Sequence, residues 1–134
     1  MDFKPYEKAI ANLAKKHDLD FVALFGSQAT GAVHAKSDVD IGIIRREKIS
    51  FDEKMKILGE FYDIFKRDDV EVVDFDNVSP TLMREVVEEG KLLYEKEEGI
   101  FLNWKIYAIK IWLETKWLRD LRDKSLIRWA SELS

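Results

Sequence analysis

Apolar positions in this chain follow two rhythms, one of helical period and one of short continuous runs. Tyr6, Ile10 and Leu13 recur at helical spacing behind Pro5, a residue suited to a first helical turn. That helix is expected to stop near His17 and Asp18. Phe21 to Phe25 (FVALF) is a short apolar run of strand type, and it ends at a turn signal, Gly26-Ser27. A segment of small residues, Gln28 to Lys36, leads to a second strand, Asp38 to Ile44 (DVDIGII). Asp52 to Lys66 reads as a helix with Met55, Leu58, Tyr62 and Phe65 on one face and Phe61 beside them. Val70 to Phe75 (VEVVDF) reads as a third strand. Ser79-Pro80 is a helix start, with serine at the cap and proline at the first position. That helix runs to Gly90, a natural stop. Lys91 to Glu95 (KLLYE) gives a short fourth strand. Strands alternating with helices predict an α/β domain over residues 1–97.

The pattern changes over residues 98–134. From Ile100 to Leu133 the chain holds neither Gly nor Pro, so this extension is expected to be one long helix or two. All four tryptophans lie in it: Trp104, Trp112, Trp117 and Trp129. Phe101, Trp104, Ala108 and Ile111 can form one face, and Leu102, Ile106, Ile109 and Leu113 another. A helix that is apolar on most sides needs cover on most sides, which one small domain does not supply. Tryptophan is also favoured at binding hot spots. A partner protein is therefore expected on this helix, reading Trp104, Tyr107, Ile111 and Trp112 as its contacts.

Composition narrows the chemistry. The chain has 134 residues, enough for one compact domain. Its 22 basic and 26 acidic residues give a net charge of −4, against the basic balance of a general nucleic-acid binder. With no cysteine, disulfides, thiolate metal sites and cysteine nucleophiles are excluded. No apolar run approaches the roughly 20 residues of a membrane span. The first residues lack a signal-peptide pattern, so a cytoplasmic setting is expected.

The informative constellation is Gly26-Ser27, ten intervening residues, then Asp38-Val39-Asp40. Residues i and i+2 of a strand share a face, so Asp38 and Asp40 present two carboxylates side by side. Such a pair repels itself unless a cation joins it. Magnesium takes hard oxygen ligands, usually a few carboxylates plus phosphate oxygens and water. Gly26 lets backbone approach a phosphate closely, and Ser27 can add a hydroxyl contact. Glu71 and Asp74 are candidates for a third acid. Their spacing sends them to opposite faces of the strand, so one of the two joins the pair. His17 and His34 show no ligand pattern; His17 is expected at a helix end and His34 in a loop. Arg45 and Arg46 read as a solvated strand end, and Lys36 stands close to the motif.

Gly26-Ser27 followed by Ser37-Asp38-Val39-Asp40 resembles the signature of the polymerase-β-type nucleotidyltransferase superfamily. The short chain, the VEVVDFD strand and the GKLLYE segment resemble its minimal nucleotidyltransferase branch over roughly residues 8–97. The resemblance implies a small mixed sheet flanked by helices, here with a C-terminal helical extension. It implies ATP as nucleotide donor and Mg2+ held by Asp38 and Asp40, with the third acid early in its strand. That position is Glu71, where the branch more often has Asp, and Asp74 stays open.

The resemblance further implies an antitoxin that transfers AMP to a tyrosine of a partner ribonuclease toxin of the HEPN class. Neither histidine has an arginine shortly before it, so the toxin's own pattern is absent. Three other classes remain open. One is a non-catalytic module that neutralises its toxin by contact. Another is a small-molecule enzyme of the aminoglycoside type, which would want a second domain to enclose its substrate. The third is a purely structural partner, for which no magnesium–nucleotide binding is expected.

Overall fold

The computed structural model describes residues 2–26 and 39–133. Ser27, His34, Lys36, Ser37 and Asp38 lie outside the described residues. The described elements are α1 (Glu7–Lys16), β1 (Phe21–Phe25), β2 (Val39–Ile44), α2 (Phe51–Phe65), β3 (Val70–Asp74), α3 (Pro80–Glu89), β4 (Lys91–Glu95) and α4 (Ile100–Glu132). The four strands form one mixed sheet in the order β3-β2-β1-β4. β1 runs antiparallel to β2 and to β4, whereas β2 and β3 are parallel. The expected α/β fold with a small mixed sheet is thus present.

Each strand buries alternate side chains on opposite faces. Val22 and Leu24 of β1, with Ile41 and Ile43 of β2, face α1 and α2 and join Ile10, Leu13, Ile57 and Phe61 in one core. Phe21, Ala23 and Phe25 point the other way, into a core with Phe75, Met83 and Val86 and with Phe101, Trp104 and Ala108 of α4. The sheet is therefore the middle of three layers.

Local signals set the helix ends. Ser50 caps α2 by accepting a hydrogen bond from the Glu53 amide at 3.1 Å. Ser79 caps α3 from the Leu82 amide at 3.2 Å, with Pro80 in the first turn and Gly90 at the end. The Glu95 carboxylate accepts from the amides of Gly99 and Phe101, at 3.3 and 3.2 Å, and so fixes where α4 begins. α4 is a single helix of 33 residues.

Three expectations need correction. The face of α2 read as Met55, Leu58, Tyr62 and Phe65 is displaced: Ile57, Phe61 and Phe65 are buried, while Met55 is exposed. Two apolar stripes overlap on this helix, and packing on the sheet selects the one centred on Phe61. The third strand ends at Asp74, because Phe75–Asn77 forms a 3-10 turn capped by the Asp74 carboxylate, which accepts from the Asp76 amide at 3.0 Å. Arg45 is not a solvated strand end. Its guanidinium grips Glu53 with both terminal nitrogens, at 2.5 and 2.6 Å, and Nη1 also donates to the His17 carbonyl at 3.0 Å. His17 does end α1, as expected, and its ring is buried with Nε2 2.9 Å from a Glu60 carboxylate oxygen.

Candidate active site

The chemistry gathers at one end of the sheet, where β1 finishes and β2 and β3 begin. Register places Asp40 of β2 between Phe25 of β1 and Glu71 of β3. Residues in register on neighbouring strands share a face, so the Asp40 and Glu71 carboxylates stand side by side. Asp40 is half-buried and Glu71 is exposed. Asp74 pairs with Ile43, on the opposite face, and its carboxylate is engaged in the cap of the 3-10 turn. Of the two candidate third acids, the fold brings Glu71 to Asp40 and turns Asp74 away.

Gly26 closes this corner. Its φ is +76°, a backbone region that L side chains rarely adopt. A Cβ built on it would collide with the Asp40 carboxylate, coming within 3.2 Å of its Cγ. The glycine is therefore required twice, for the turn and for the approach of backbone to carboxylate.

The neighbouring charges are arranged around that corner. Asp69, two residues before Glu71, is gripped by both ends of the Arg67 guanidinium. That hydrogen bonding holds the Asp69 carboxyl below its ordinary value although partial burial opposes it. The Asp69 carbonyl accepts from the Val39 amide at 2.9 Å, which ties the start of β2 to the start of β3. Asp69 is thus committed to a local pair, and Glu71 is the acid that faces Asp40.

Asp40 and Glu71 supply hard oxygen donors at the spacing of adjacent strands, which suits a divalent cation with phosphate and water ligands. Among the described residues, no group of three or more His, Cys, Asp or Glu side chains gathers as a complete metal site. The expected third member, Asp38, lies outside the described residues, as does Ser27.

Gly42 escaped the sequence reading of the site. It follows Asp40 by two positions on the same face, and the Phe75 ring occupies the space its side chain would fill. The signal was present, since an isolated glycine inside a strand often marks the close approach of another group.

The tryptophan-rich helix divides along the two expected faces, with Phe101, Trp104, Ala108 and Ile111 turned to the core, but one expected partner contact is misplaced. Trp104 is buried in the core against Phe21 and Phe75, so it is not a surface contact, which corrects that assignment. Ile111 is half-buried against the same core. Trp112 is partly covered, with the Arg119 guanidinium 3.4 Å and the Arg84 guanidinium 5.0 Å from its ring centre. Tyr107 is exposed, as are Leu102, Ile106, Ile109, Leu113 and Trp117. Among the described residues, no helix is long and apolar enough to cross a membrane.

The mixed sheet sets an acid pair beside a glycine turn, and comparison with known proteins gives the class of the fold. The family model for polymerase beta nucleotidyltransferases matches residues 7–99, and the chain belongs to that family. Protein adenylyltransferase MntA of Aphanizomenon flos-aquae is 30% identical over 100 residues, which span 67% of this chain and 66% of that protein. Protein adenylyltransferase MntA of Shewanella oneidensis is 28% identical over 92 residues, 69% of this chain and 63% of its own length. The match thus spans just under two-thirds of the length of these relatives.

Solved structures share the fold, and two illustrate it. A chain from the crystal structure of a toxin–antitoxin with AMP-PNP superposes with a TM-score of 0.75 at 23% identity, covering 90% of this chain and 98% of that one. A chain from the complex of tri-AMPylated Shewanella oneidensis HEPN toxin with MNT antitoxin gives 0.73 at 20% identity, covering 94% and 99%.

Proposed function

We propose that this chain is an antitoxin-type nucleotidyltransferase that uses magnesium and moves AMP from ATP onto a tyrosine of a partner HEPN ribonuclease toxin, silencing it. The observation that carries the reading is the register that sets Asp40 beside Glu71 with Gly26 against the Asp40 carboxylate. The relatives' name, protein adenylyltransferase, supports the choice of reaction. The toxin–antitoxin setting of the similar folds supports the choice of acceptor. A toxin that cuts RNA sets the reaction in the cytoplasm.

Asp38, Asp40 and Glu71 are assigned to hold the cation, and Asp74 to the turn it caps. Magnesium, when bound, offsets the charge of the triphosphate and eases loss of the acceptor's proton. Gly26 and Ser27 are assigned to the β- and γ-phosphates, as residue types suited to close backbone approach and to a hydroxyl contact. The acceptor oxygen attacks the α-phosphorus in line; the new phosphorus–oxygen bond forms as the bond to pyrophosphate breaks. Such chemistry depends mainly on position and charge neutralisation. The exposed side of α4, around Tyr107, Ile109 and Leu113, is the surface assigned to the partner.

The test is incubation with labelled ATP, magnesium and the product of the neighbouring gene as the candidate toxin, followed by intact mass. A gain of one or more AMP units on the toxin is expected, and none with the variant carrying Asp38→Asn and Asp40→Asn. A tight complex with no mass gain would replace this reading with neutralisation by contact.

A further inference from the structure

We propose that Phe75 is a positioning residue for the acid-bearing strand: its ring, laid in the notch left by Gly42, sets where Asp40 stands relative to Glu71 and Gly26. The inference rests on reading Asp40 and Glu71 as the functional pair. Four observations carry it.

First, the notch is deep. A Cβ at Gly42 would overlap three atoms of the Phe75 ring, so the ring lies directly on the β2 backbone. Beneath it, Gly42 pairs with Ala23, and two small residues make a trough across β1 and β2. Second, the trough is on the functional face. Gly42 is two residues from Asp40, and side chains alternate along a strand.

Third, the ring belongs to β3's own continuation. Phe75 follows Asp74 directly, and the Asp74 cap fixes the 3-10 turn from which the ring projects. One ring therefore ties β2 to the strand that carries Glu71. Fourth, Phe75 is clamped from the other sides. It is 1% exposed, stacks on Trp104 at 5.0 Å and 17°, and leans on Phe25, next to Gly26, at 5.6 Å. It is too buried to touch a nucleotide, so any effect on chemistry passes through the strands it spaces.

The consequence is a non-additive pair. Gly42→Ala forces the ring to move, and displacements well below an ångström at such a site are costly. Shortening the ring removes the conflict. Gly42→Ala should lower the rate of AMP transfer about 10-fold or more while leaving KM for the toxin unchanged, because the exposed side of α4 is untouched. Gly42→Ala combined with Phe75→Leu should return to within about threefold of Phe75→Leu alone, the signature of coupled neighbours.

Two readouts do not depend on transfer: the backbone amide signals of Gly26 and Asp40 in a 15N-labelled sample, and Mn2+ affinity in the presence of AMP-PNP. Both should shift in Gly42→Ala and recover in the double variant. The proposal is overturned if both stay at wild-type values in Gly42→Ala. It is equally overturned if the double variant is impaired by the product of the two single effects, which would mean loss of packing alone. Should Gly42→Ala fail to fold, the ring-shortened pair carries the same comparison. A wild-type protein that binds Mn2+ with AMP-PNP and transfers no AMP would defeat the adenylyl-transfer reading and leave the spacing result standing.

Discussion

Behind the sheet, α1 and α2 bury mostly aliphatic side chains, such as Ile10, Leu13 and Ile57, together with one ring group, Phe3, Tyr6, Phe61 and Phe65, and the rim carries charged contacts such as Lys16 to Glu60 and Arg45 to Glu53. In front, α3 and α4 cover a cluster in which Phe21, Phe25, Phe75, Phe101 and Trp104 stack or tilt on one another at 5.0 to 6.4 Å. Asp40 and Glu71 belong to the front face. Rings fix distances and angles between the elements they join, and the rings in front share a face with Asp40 and Glu71, whereas those behind do not. The division therefore lies between a face that carries the acid pair and one that does not. A change behind should alter how long the protein stays folded; a change in front should alter what the folded protein does.

The largest effect that would test this division is at Asp40. On the proposed reaction, Asp40→Asn should reduce AMP transfer on the order of 10³-fold with little change in thermal midpoint, read by intact mass and melting on one sample. Loss of folding instead of activity would erase the distinction between the faces. Trp104→Ala should remove about 4 kcal/mol of stability, by urea titration, because it empties the centre of the front core. Glu71 and Asp74 sharpen the comparison within one strand. Glu71→Gln should cost transfer about 100-fold, and Asp74→Asn under about threefold, since only the former faces Asp40.

Behind the sheet, Arg45→Gln should cost about 2 kcal/mol by releasing Glu53 and the His17 carbonyl, with transfer per folded molecule unchanged. Acid should act on the same rim. Hydrogen bonding from Arg45 holds the Glu53 carboxyl below its ordinary 4.5, against a smaller opposing effect of burial. For Glu60, partial burial pushes upward, but hydrogen bonds from Lys16 and His17 outweigh it and the net direction is also downward. Both carboxylates bind protons less readily folded than unfolded. Their contribution is therefore complete above 4.5 and lost as pH falls through the folded values. Urea midpoints should drop over that window in the wild type, and drop less in Glu53→Gln. Trp117→Ala, on the exposed side of α4, is the smallest change, at under about 0.5 kcal/mol in the isolated protein.

Much of this was legible beforehand because the signals are local. FVALF, VDIGII and the Ser79-Pro80 start each carry their structure within a few residues. The opposite orientation of Glu71 and Asp74 also followed from alternation alone. Which of them meets Asp40 did not, because it depends on the parallel register of β2 and β3, set by a crossover through α2. Arg45 was misread for a similar reason. A guanidinium at a strand end looks solvated until the next helix brings Glu53 beneath it. On α2 and α4 the apolar positions were visible, but the choice among overlapping stripes belongs to the surface they meet. That is why Met55 reads as an inner position, and why Trp104, grouped with the stripe that packs inward, also reads as a partner contact.

α4 also has a consequence for motion. A helix of 33 residues at about 1.5 Å per residue is roughly 50 Å long. Phe101, Trp104 and Ala108 are set in the core, while residues 120–133 are exposed on every side. A helical stretch of that length without tertiary contacts is marginal in water. Amide protons along α4 should therefore exchange with solvent in a gradient, slowest near Trp104 and fastest toward Trp129. The gradient is itself a gauge of occupancy: whatever covers the distal turns will slow their exchange and leave the anchored turns as they were.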